Sequence, residues 1–451
     1  MIDTKLLRRK IIDLAIQGKL VKQDKKEEDV SIFLRTIREK KRNLISQLGF
    51  RNTISNTITG NIQEPSFEIP DNWNWINLED FVLSVTDGDH QPPPQTSEGV
   101  PFLVISDVNT GSIKFEKARF VSKSYYNNLP ENRKAQKGDI LFTVTGSYGI
   151  VIPVETETAF CFQRHIGLIK TIDEPNWLSI VLQSSYVKSY CDDVATGTAQ
   201  KTVSLGFLRK LRIPIPPKSE QQRILKKINE WFSLICILES NKEELNANIK
   251  LAKKRVVELA ICGKLVEQNN HDEPASQLME RINKGFSPMI ASNRLLPANW
   301  TICHLEDIVA YEQPTKYIVA STAYSDKYKT PVLTAGKTFI LGYTNETSGI
   351  YTNLPTIIFD DFTTDSRYVD FPFKVKSSAM KILQVNKEVD IKYVAYFMSI
   401  TRLLGDSHKR YWISTYSKVE IPIPPLNEQK RIVAKIEELF NLLDNIYKYI
   451  N

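Results

Sequence analysis

The sequence predicts a mixed α/β (α+β) protein with a pseudo-two-fold internal repeat, in which a long antiparallel coiled coil separates two α/β domains. Three observations predict this fold class: blocks of sequence that occur twice, a heptad pattern of apolar residues, and short β-like runs broken by Gly, Pro, Asn and Thr. Because the offset between the repeated blocks changes along the chain, we expect two copies of one unit whose intervening segments differ in length.

The longest repeat is IPIPPKSEQQRILKKINEWF at 213–232, which returns as IPIPPLNEQKRIVAKIEELF at 421–440 with 13 of 20 positions identical. A second block, LAI-x-GKLV, occurs at 14–21 and 259–266. A third block contains Trp73 in one copy and Trp300 in the other. Both tryptophans have apolar neighbours, so we interpret them as core anchors rather than as platforms for base stacking.

Apolar residues at alternating steps of four and three from Ile224 to Leu259 predict one long coiled-coil helix, with a start signal at Ser219 and Glu220 and a C-cap at Gly263. Helices at the two chain ends together repeat this pattern, and antiparallel pairing with the central helix would bury both seams. Core helices of two stacked domains are the alternative. The predicted seam comprises Ile224, Ile228, Trp231, Ile235, Leu238, Ile432, Ile436, Leu439, Leu443, Ile446, Leu7, Ile11 and Leu14.

The repeated blocks also set the predicted domain boundaries. We expect an N-terminal helical region at 1–50, a first α/β domain at 69–212, a central region with the long helix at 213–268, a second α/β domain at 296–420, and a C-terminal helix at 421–451. Polar connectors at 50–67 and 268–295 precede the two domains. Ser276 is predicted to cap a short helix in the second connector, and Ser31 stands at the matching position near the N-terminus.

Composition limits the class of protein. Hydrophobic residues make up 42% and charged residues 25% of the 451 positions, as in an ordinary soluble globular protein. No apolar run approaches the roughly 18 residues of a membrane span, and no signal peptide is evident, so we expect a cytoplasmic protein. The net charge of +7 suits a polyanionic partner. The five cysteines lack CxxC spacing and are expected to be reduced thiols that bind no metal.

These blocks resemble those of the specificity subunits of type I restriction-modification enzymes. The resemblance rests on the two IPIPP-x-x-EQ-x-RI blocks, the two LAI-x-GKLV blocks, the DEPASQL segment at 272–278 and the two P-x-x-W-x-x-x-x-L openings, in this order over nearly the whole chain. It implies that the two α/β domains are target recognition domains, each of which reads one half of a bipartite site in double-stranded DNA.

The resemblance also implies the partners. The helices would act as a spacer and dock two modification subunits, which carry S-adenosylmethionine and methylate adenine. Restriction subunits would add translocation and cleavage, with ATP and magnesium bound to the partner subunits and no cofactor in this chain.

No catalytic residue is predicted. The chain contains no NPPY- or DPPY-like tetrapeptide of the kind that amino-methyltransferases use to hold a flipped base. Asp87 and Asp89, like the acidic residues of FDDFTTD at 359–365, could bind a metal, but turn capping is the commoner role of such residues. Two rival functions remain: a coiled-coil adaptor without sequence-specific DNA readout, and a fused restriction-methyltransferase.

Base-edge contacts need hydroxyl, amide or guanidinium side chains, and phosphate contacts need Lys or Arg. Loops of both domains offer such residues, although each loop by itself is as consistent with a solvated turn. The candidates in the first domain are His90, Gln91, Thr145, Ser147, Tyr148, Arg164, Gln200, Lys201 and Thr202. Those in the second domain are Gln313, Thr315, Lys316, Tyr317, Lys337, Arg367, His408, Lys409, Arg410 and Tyr411.

Overall fold

The structure is a computed structural model that describes residues 3–24, 26–48, 65–198, 200–287, 296–336, 338–403 and 410–450. The chain divides into two compact units, Ile2–Ser240 and Asn241–Asn451. We call them the first and the second unit. Both combine helices with small sheets, as the mixed α/β prediction requires. The predicted connector at 50–67 lies outside the described residues except at its last three positions.

In the part of the first unit that the structure describes, two helices are followed by ten short strands and five further helices before the long helix. The elements are α1 (Thr4–Ile16), α2 (Val30–Leu48), β1 (Asn74–Asn77), α3 (Leu78–Phe81), β2 (Ser84–Asp87), β3 (Gln95–Thr96), β4 (Val100–Leu103), β5 (Arg119–Val121), α4 (Lys123–Asn127), β6 (Ile140–Thr143), β7 (Val151–Pro153), β8 (Cys161–Phe162), β9 (Ile166–Lys170), α5 (Asn176–Leu182), α6 (Ser185–Val194), α7 (Leu205–Lys210), β10 (Arg212–Ile215) and the beginning of α8 (Lys218–Ile261).

The second unit contains the end of α8 and a similar succession of elements. They are α9 (Ala275–Ile282), β11 (Thr301–His304), α10 (Leu305–Ile308), β12 (Val309–Glu312), β13 (Thr330–Leu333), β14 (Ile340–Thr344), β15 (Thr356–Asp360), β16 (Ser366–Val369), β17 (Lys374–Val375), β18 (Met380–Val385), α11 (Ile391–Ile400), β19 (Glu420–Ile423) and α12 (Leu426–Ile450).

The large sheets of the two units have the same topology. The first unit has an antiparallel sheet in the order β2-β9-β6-β7, and the second unit has one in the order β12-β18-β15-β16. Each unit also has a smaller sheet with one parallel pair, β4 with β8 and β13 with β17. In each unit the IPIPP block closes the domain by pairing with the strand that follows the repeated tryptophan, Trp73 or Trp300: β1 pairs with β10, and β11 pairs with β19.

A buried hydrogen bond joins that tryptophan to the first turn of the helix that follows the IPIPP block, α8 in the first unit and α12 in the second. In the first unit the Trp73 indole donates to Glu220 Oε2 over 2.9 Å, and Gln23 donates to Oε1 of the same carboxylate over 2.5 Å. Burial raises the pKa of the Glu220 carboxyl, and the two donated hydrogen bonds oppose that shift. Trp73 is 3% exposed, which confirms its interpretation as a core anchor.

The second unit has the same arrangement. Trp300 donates to Glu428 Oε2 over 3.0 Å, Gln268 donates to Oε1 over 2.6 Å, and burial raises the pKa of Glu428. Trp300 is buried at 8% exposure and is a core anchor as well. The predicted place of the helix start is confirmed, because α8 begins at Lys218 and Glu220 lies in its first turn, although Ser219 lies inside the helix and not before it.

In each unit a glycine ends a helix shortly before the glutamine, Gln23 or Gln268, that donates to the buried glutamate. Gly263 follows α8 with φ +68°, and Gly18 follows α1 with the same φ. The prediction of a C-cap at Gly263 is confirmed, since its N–H donates to the Ala260 carbonyl. A Cβ at Gly263 would lie 2.4 Å from Pro297 Cγ, and one at Gly18 would lie 2.4 Å from Pro70 Cγ. Any side chain at either position would therefore clash as well as strain the backbone.

The predicted cap at Ser276 is wrong. Helix α9 begins at Ala275, so Ser276 lies within its first turn. The Ala275 N–H donates to the Asn299 carbonyl, and this contact from outside the helix takes the place of a side-chain cap. Ser31 likewise lies inside α2, where its own N–H donates to Asp29 Oδ1.

Each unit packs one terminal helix beside its part of α8. In the first unit, Arg8 of α1 donates to Glu239 over 3.0 Å and lies 5.0 Å from the Phe232 ring centroid. In the second unit, Lys253 of α8 donates to Asp444 of α12 over 2.6 Å and lies 5.0 Å from the Phe440 ring centroid. The terminal helices therefore do run beside the central one, each within its own unit.

The predicted seam is only partly buried. Ile224, Ile228, Ile235, Ile432, Ile436 and Ile11 are buried, while Leu7, Leu14, Leu439 and Leu443 are half-buried. The prediction of burial is wrong for Trp231, Leu238 and Ile446, which are 41%, 42% and 45% exposed. The reason is that a single neighbouring helix covers one stripe of its partner and leaves the remaining apolar positions in contact with solvent.

We predict that Glu220→Gln lowers the free energy of unfolding by about 1–3 kcal/mol, because an amide offers one acceptor oxygen where the carboxylate accepts from both Trp73 and Gln23. Urea unfolding of the full chain measures the change. Glu230→Gln, which alters an exposed residue of the same helix, is the matched control and should stay within about 0.5 kcal/mol of the wild type. Equal losses in the two variants would contradict the anchoring role.

Candidate nucleic-acid interface

Loops gather at one edge of the large sheet in the first unit. Strands β2 and β6 both end at the edge where β9 begins, because Asp87 pairs with Gly167 and Thr143 pairs with Ile166. We call residues 88–95, 144–149, 163–165 and the segment 196–198 with 200–203 the first loop edge. The first three segments adjoin these strand ends directly, and the fourth is joined to them through the backbone.

Backbone hydrogen bonds link the four segments in series. The Arg164 N–H donates to the Asp89 carbonyl over 3.0 Å, the Val144 N–H donates to the His165 carbonyl over 2.9 Å, and the Gly146 N–H donates to the Lys201 carbonyl over 2.9 Å. The four loops that the sequence singled out in this domain thus form one continuous surface.

One glycine is required for this close approach. A Cβ at Gly88 would lie 1.9 Å from the Phe162 carbonyl oxygen, which is backbone and cannot move aside. Only glycine therefore permits the 88–95 segment to lie against the start of the 163–165 segment.

The first loop edge exposes most of the predicted DNA-contacting residues. Those with exposed side chains are His90, Gln91, Ser147, Arg164, Gln200 and Lys201, while Tyr148 and Thr202 are half-buried. The structure contradicts the prediction that the Thr145 side chain is available for DNA contact. Thr145 is 7% exposed, and its hydroxyl accepts a hydrogen bond from the Thr202 hydroxyl over 3.3 Å. The bridge between these two residues turns Thr145 inward, so it holds two loops together instead of facing a ligand.

Tyr148 is held in place by α6. Its hydroxyl donates to Asp192 Oδ1 over 2.7 Å, and the Lys188 ammonium lies 4.2 Å from its ring centroid. The hydrogen bond to the Asp192 carboxylate raises the pKa of Tyr148, so the phenol stays protonated at neutral pH. Its ring is thereby presented in one orientation at the edge.

Asp87 and Asp89 both pair with basic side chains. Asp89 accepts from Arg133 over 2.8 Å, and Asp87 lies 3.0 Å from His90 Nε2. In the second unit, Asp360 Oδ1 accepts from the N–H groups of Phe362 and Thr363, as in a capped turn. Among the described residues, no three His, Cys, Asp or Glu side chains converge as metal ligands.

The second unit has an equivalent edge. Strands β12 and β15 end where β18 begins, because Glu312 pairs with Ile382 and Asp360 pairs with Met380. We call residues 313–318, 361–365, 376–379 and 410–415 the second loop edge. As in the first unit, a backbone bond attaches the last segment: the Tyr411 N–H donates to the Asp361 carbonyl over 2.9 Å.

The second loop edge exposes the side chains of Gln313, Thr315, Lys316 and Arg410, and Arg367 is exposed on the neighbouring strand β16. Tyr317 is half-buried: its hydroxyl donates to Glu312 over 2.9 Å, and its ring packs 4.9 Å from that of Tyr351. The predicted contacts Lys337, His408 and Lys409 lie outside the described residues.

The structure also contradicts the prediction that the Tyr411 side chain is available for DNA contact. It is 7% exposed and belongs to the core of its unit, as does the adjacent Trp412 at 2% exposure. Asp361 holds both residues through their backbone N–H groups. The Tyr411 N–H donates to the Asp361 carbonyl over 2.9 Å, and the Trp412 N–H donates to Asp361 Oδ1 over 2.7 Å. These aromatic residues therefore position the segment that contains Arg410 and do not face outward themselves.

Sequence reasoning missed one pair at this edge. Lys381 and Asp361 are 1% and 2% exposed, and Lys381 Nζ lies 3.5 Å from Asp361 Oδ2. The available signal was a lysine inside the apolar run MKILQV, where a charge requires a buried partner.

No helix among the described residues is long and apolar enough to cross a membrane. The chain does have relatives among known proteins. The specificity subunit of the type I restriction enzyme EcoR124I/EcoR124II from Escherichia coli is 51% identical over 147 residues, which are 31% of this chain and 36% of that subunit. The EcoAI specificity subunit from Escherichia coli is 23% identical over an alignment that covers 99% of this chain and 90% of that subunit.

A solved structure described as the structural basis underlying complex assembly and conformational transition of the type I R-M system is also similar in fold. It has a TM-score of 0.53 at 16% identity and covers 85% of this chain and 94% of that one. The family of the type I restriction modification DNA specificity domain matches residues 70–247 and 297–451. The two matched segments contain the two loop edges, and the chain belongs to this family, that of the type I restriction-modification specificity subunits.

Proposed function

We propose that this chain reads a bipartite DNA target, with one half-site per loop edge. The observation that carries this proposal is that the same edge of the same sheet presents exposed amide, hydroxyl and basic side chains in both units, for example Gln200 with Lys201 and Gln313 with Lys316. Amides and hydroxyls suit base edges, and lysines suit phosphates.

The two target recognition domains in this proposal occupy 69–212 and 296–420, and helical regions at 1–50, 213–268 and 421–451 connect them. We infer that the chain is a pseudo-two-fold internal repeat with an antiparallel coiled-coil spacer. The matched sheet orders, the two Trp–Glu–Gln anchors and the helix-ending glycines Gly18 and Gly263 support the repeat. The 44 residues of α8 support the spacer.

The partners in this proposal are two modification subunits and the restriction subunits, in the cytoplasm. S-adenosylmethionine, ATP and magnesium would be bound by those subunits, and this chain would carry no catalytic residue. Exposed apolar side chains on α8, such as Leu234 and Ile237 at 56% each, support a protein-docking role for the helix. The EcoR124I/EcoR124II and EcoAI relatives are named as specificity subunits, which supports the same division of labour.

Exchange of residues 297–420 for the equivalent domain of a relative should change one half of the methylated sequence and leave the other half intact, because bases are read by local contacts. Methylation mapping in cells that express the chimaera with its partner subunits tests this. The reciprocal exchange of residues 70–212 is the matched control and should change the other half. If either exchange altered both halves, independent reading by the two edges would be ruled out.

Insertion of one heptad into α8 and a matching one into α12 should lengthen the spacer by about 10 Å and keep the apolar pattern in register. The unspecified gap between half-sites should grow by up to about three base pairs, or activity should be lost because three base pairs also rotate one half-site by roughly 100°. An unchanged gap at full activity, found by methylation mapping, would mean that these helices do not set the distance.

A further inference from the structure

We propose that Lys381 is a positioning residue for DNA reading: it orients the side-chain amide of Gln313 so that the amide presents hydrogen-bond donors to an acceptor on a base edge. The ligand chemistry is an acceptor in the major groove, such as O6 or N7 of guanine. This inference rests on the proposed function of the second loop edge and assigns a specific role to two of its residues.

The lysine is buried at the edge. Lys381 is 1% exposed, and its ammonium has a charged partner in Asp361, whose Oδ2 lies 3.5 Å away. Asp361 is itself fixed, because its other carboxylate oxygen accepts the Trp412 N–H over 2.7 Å. A buried lysine between a fixed carboxylate and the solvent boundary has little freedom to move, so its remaining N–H groups have set directions.

One of these N–H groups reaches the exposed Gln313. Lys381 Nζ donates to Gln313 Oε1 over 3.1 Å. An ammonium has donors only, so the atom of the amide that faces it must be the carbonyl oxygen. The amide is planar, and its NH₂ group therefore lies on the other arm, away from Lys381. The lysine thus decides which end of Gln313 is turned outward.

This orientation limits which bases Gln313 fits. A bidentate contact with adenine uses the amide oxygen and nitrogen together, but the bond from Lys381 to one lone pair of the Gln313 oxygen holds that oxygen on the side of the lysine. The outward NH₂ group matches acceptors, which guanine presents twice in the major groove. Gln313 directly follows β12, and the exposed Thr315 and Lys316 come next in the same segment. These neighbours place the amide among the other predicted DNA contacts.

The first unit has no such device at the same place. Gly167 there pairs with Phe142 as Lys381 pairs with Phe359. Val144 accepts the Val203 N–H through its carbonyl as Asp361 accepts that of Tyr411. The shared fold therefore forms with a glycine and a valine in place of the charged pair. A role confined to one half-site accounts for a buried ion pair that the fold does not need.

The test uses the full chain assembled with its modification subunits and a duplex DNA library in which the first half-site is constant and the second is randomised. Gln313→Ala should reduce the preference at one base position by roughly five- to tenfold. Gln313→Glu turns an acceptor outward and should move the preference at that position toward cytosine or adenine, whose amino groups donate. Gln222→Glu, the same charge change on the exposed face of α8, should leave the preference unchanged.

A double variant tests the lysine itself. Lys381→Met with Asp361→Asn removes both charges together and keeps an acceptor for the Trp412 N–H, so no unpaired buried charge is left. The amide of Gln313 is then free to turn over, and the preference at the same position should fall about as far as in Gln313→Ala. A melting temperature within a few degrees of the wild type, and an unchanged first half-site, separate positioning from unfolding.

The outcomes distinguish this inference from the proposed function. If the wild-type complex selects no bipartite sequence, the proposed function fails. If it selects one and Gln313→Ala changes no position, or the folded double variant keeps the full preference, the inference about Lys381 is overturned by itself. If the double variant weakens both half-sites equally, the pair has a general structural role, and the inference is likewise overturned.

Discussion

The hydrogen bond from a buried tryptophan to a buried glutamate is the interaction on which the rest of each unit depends. In the first unit, Glu220 accepts from Trp73 at the entrance to the domain and from Gln23 in the segment that follows α1. It thereby joins the terminal helical region, the α/β domain and the start of α8 at one carboxylate. Glu428 does the same in the second unit. A buried carboxylate requires hydrogen-bond donors such as these. The tryptophan and the glutamate at each anchor both belong to repeated sequence blocks, which explains why these blocks occur in both units.

From these anchors the antiparallel strand order determines where a ligand can be met. A strand that lies antiparallel between two others brings the ends of its neighbours to its own beginning. Strand β9 has this position in the first unit and β18 has it in the second, so loops that are far apart in the sequence converge at one edge of each sheet. Side chains on such loops can vary without disturbing the strands beneath them, which suits domains that read different sequences.

The two loop edges share one strand arrangement but differ in the side chains that hold their exposed residues. The first holds Tyr148 through Asp192 on a neighbouring helix, and the second holds Gln313 through the buried Lys381. In both cases a neighbouring side chain restricts the orientation of a residue that we propose contacts DNA. Restricting a side chain before binding lowers the entropy lost in the complex, and it excludes ligands that need the other orientation.

The sequence alone determined the repeat, the long helix, the mixed α/β class, the family resemblance and the loops that carry polar residues, because each is a matter of local pattern or of spacing along the chain. Only the tertiary structure decided which of those residues face solvent. Thr145, Tyr411, Trp231 and Leu238 have the right chemistry for their predicted roles, yet a neighbouring loop, a turn or the reach of a single helix sets their exposure. The pairing of Lys381 with Asp361 was equally out of reach, since the register between β15 and β18 brings together residues twenty positions apart, and local pattern does not encode that register.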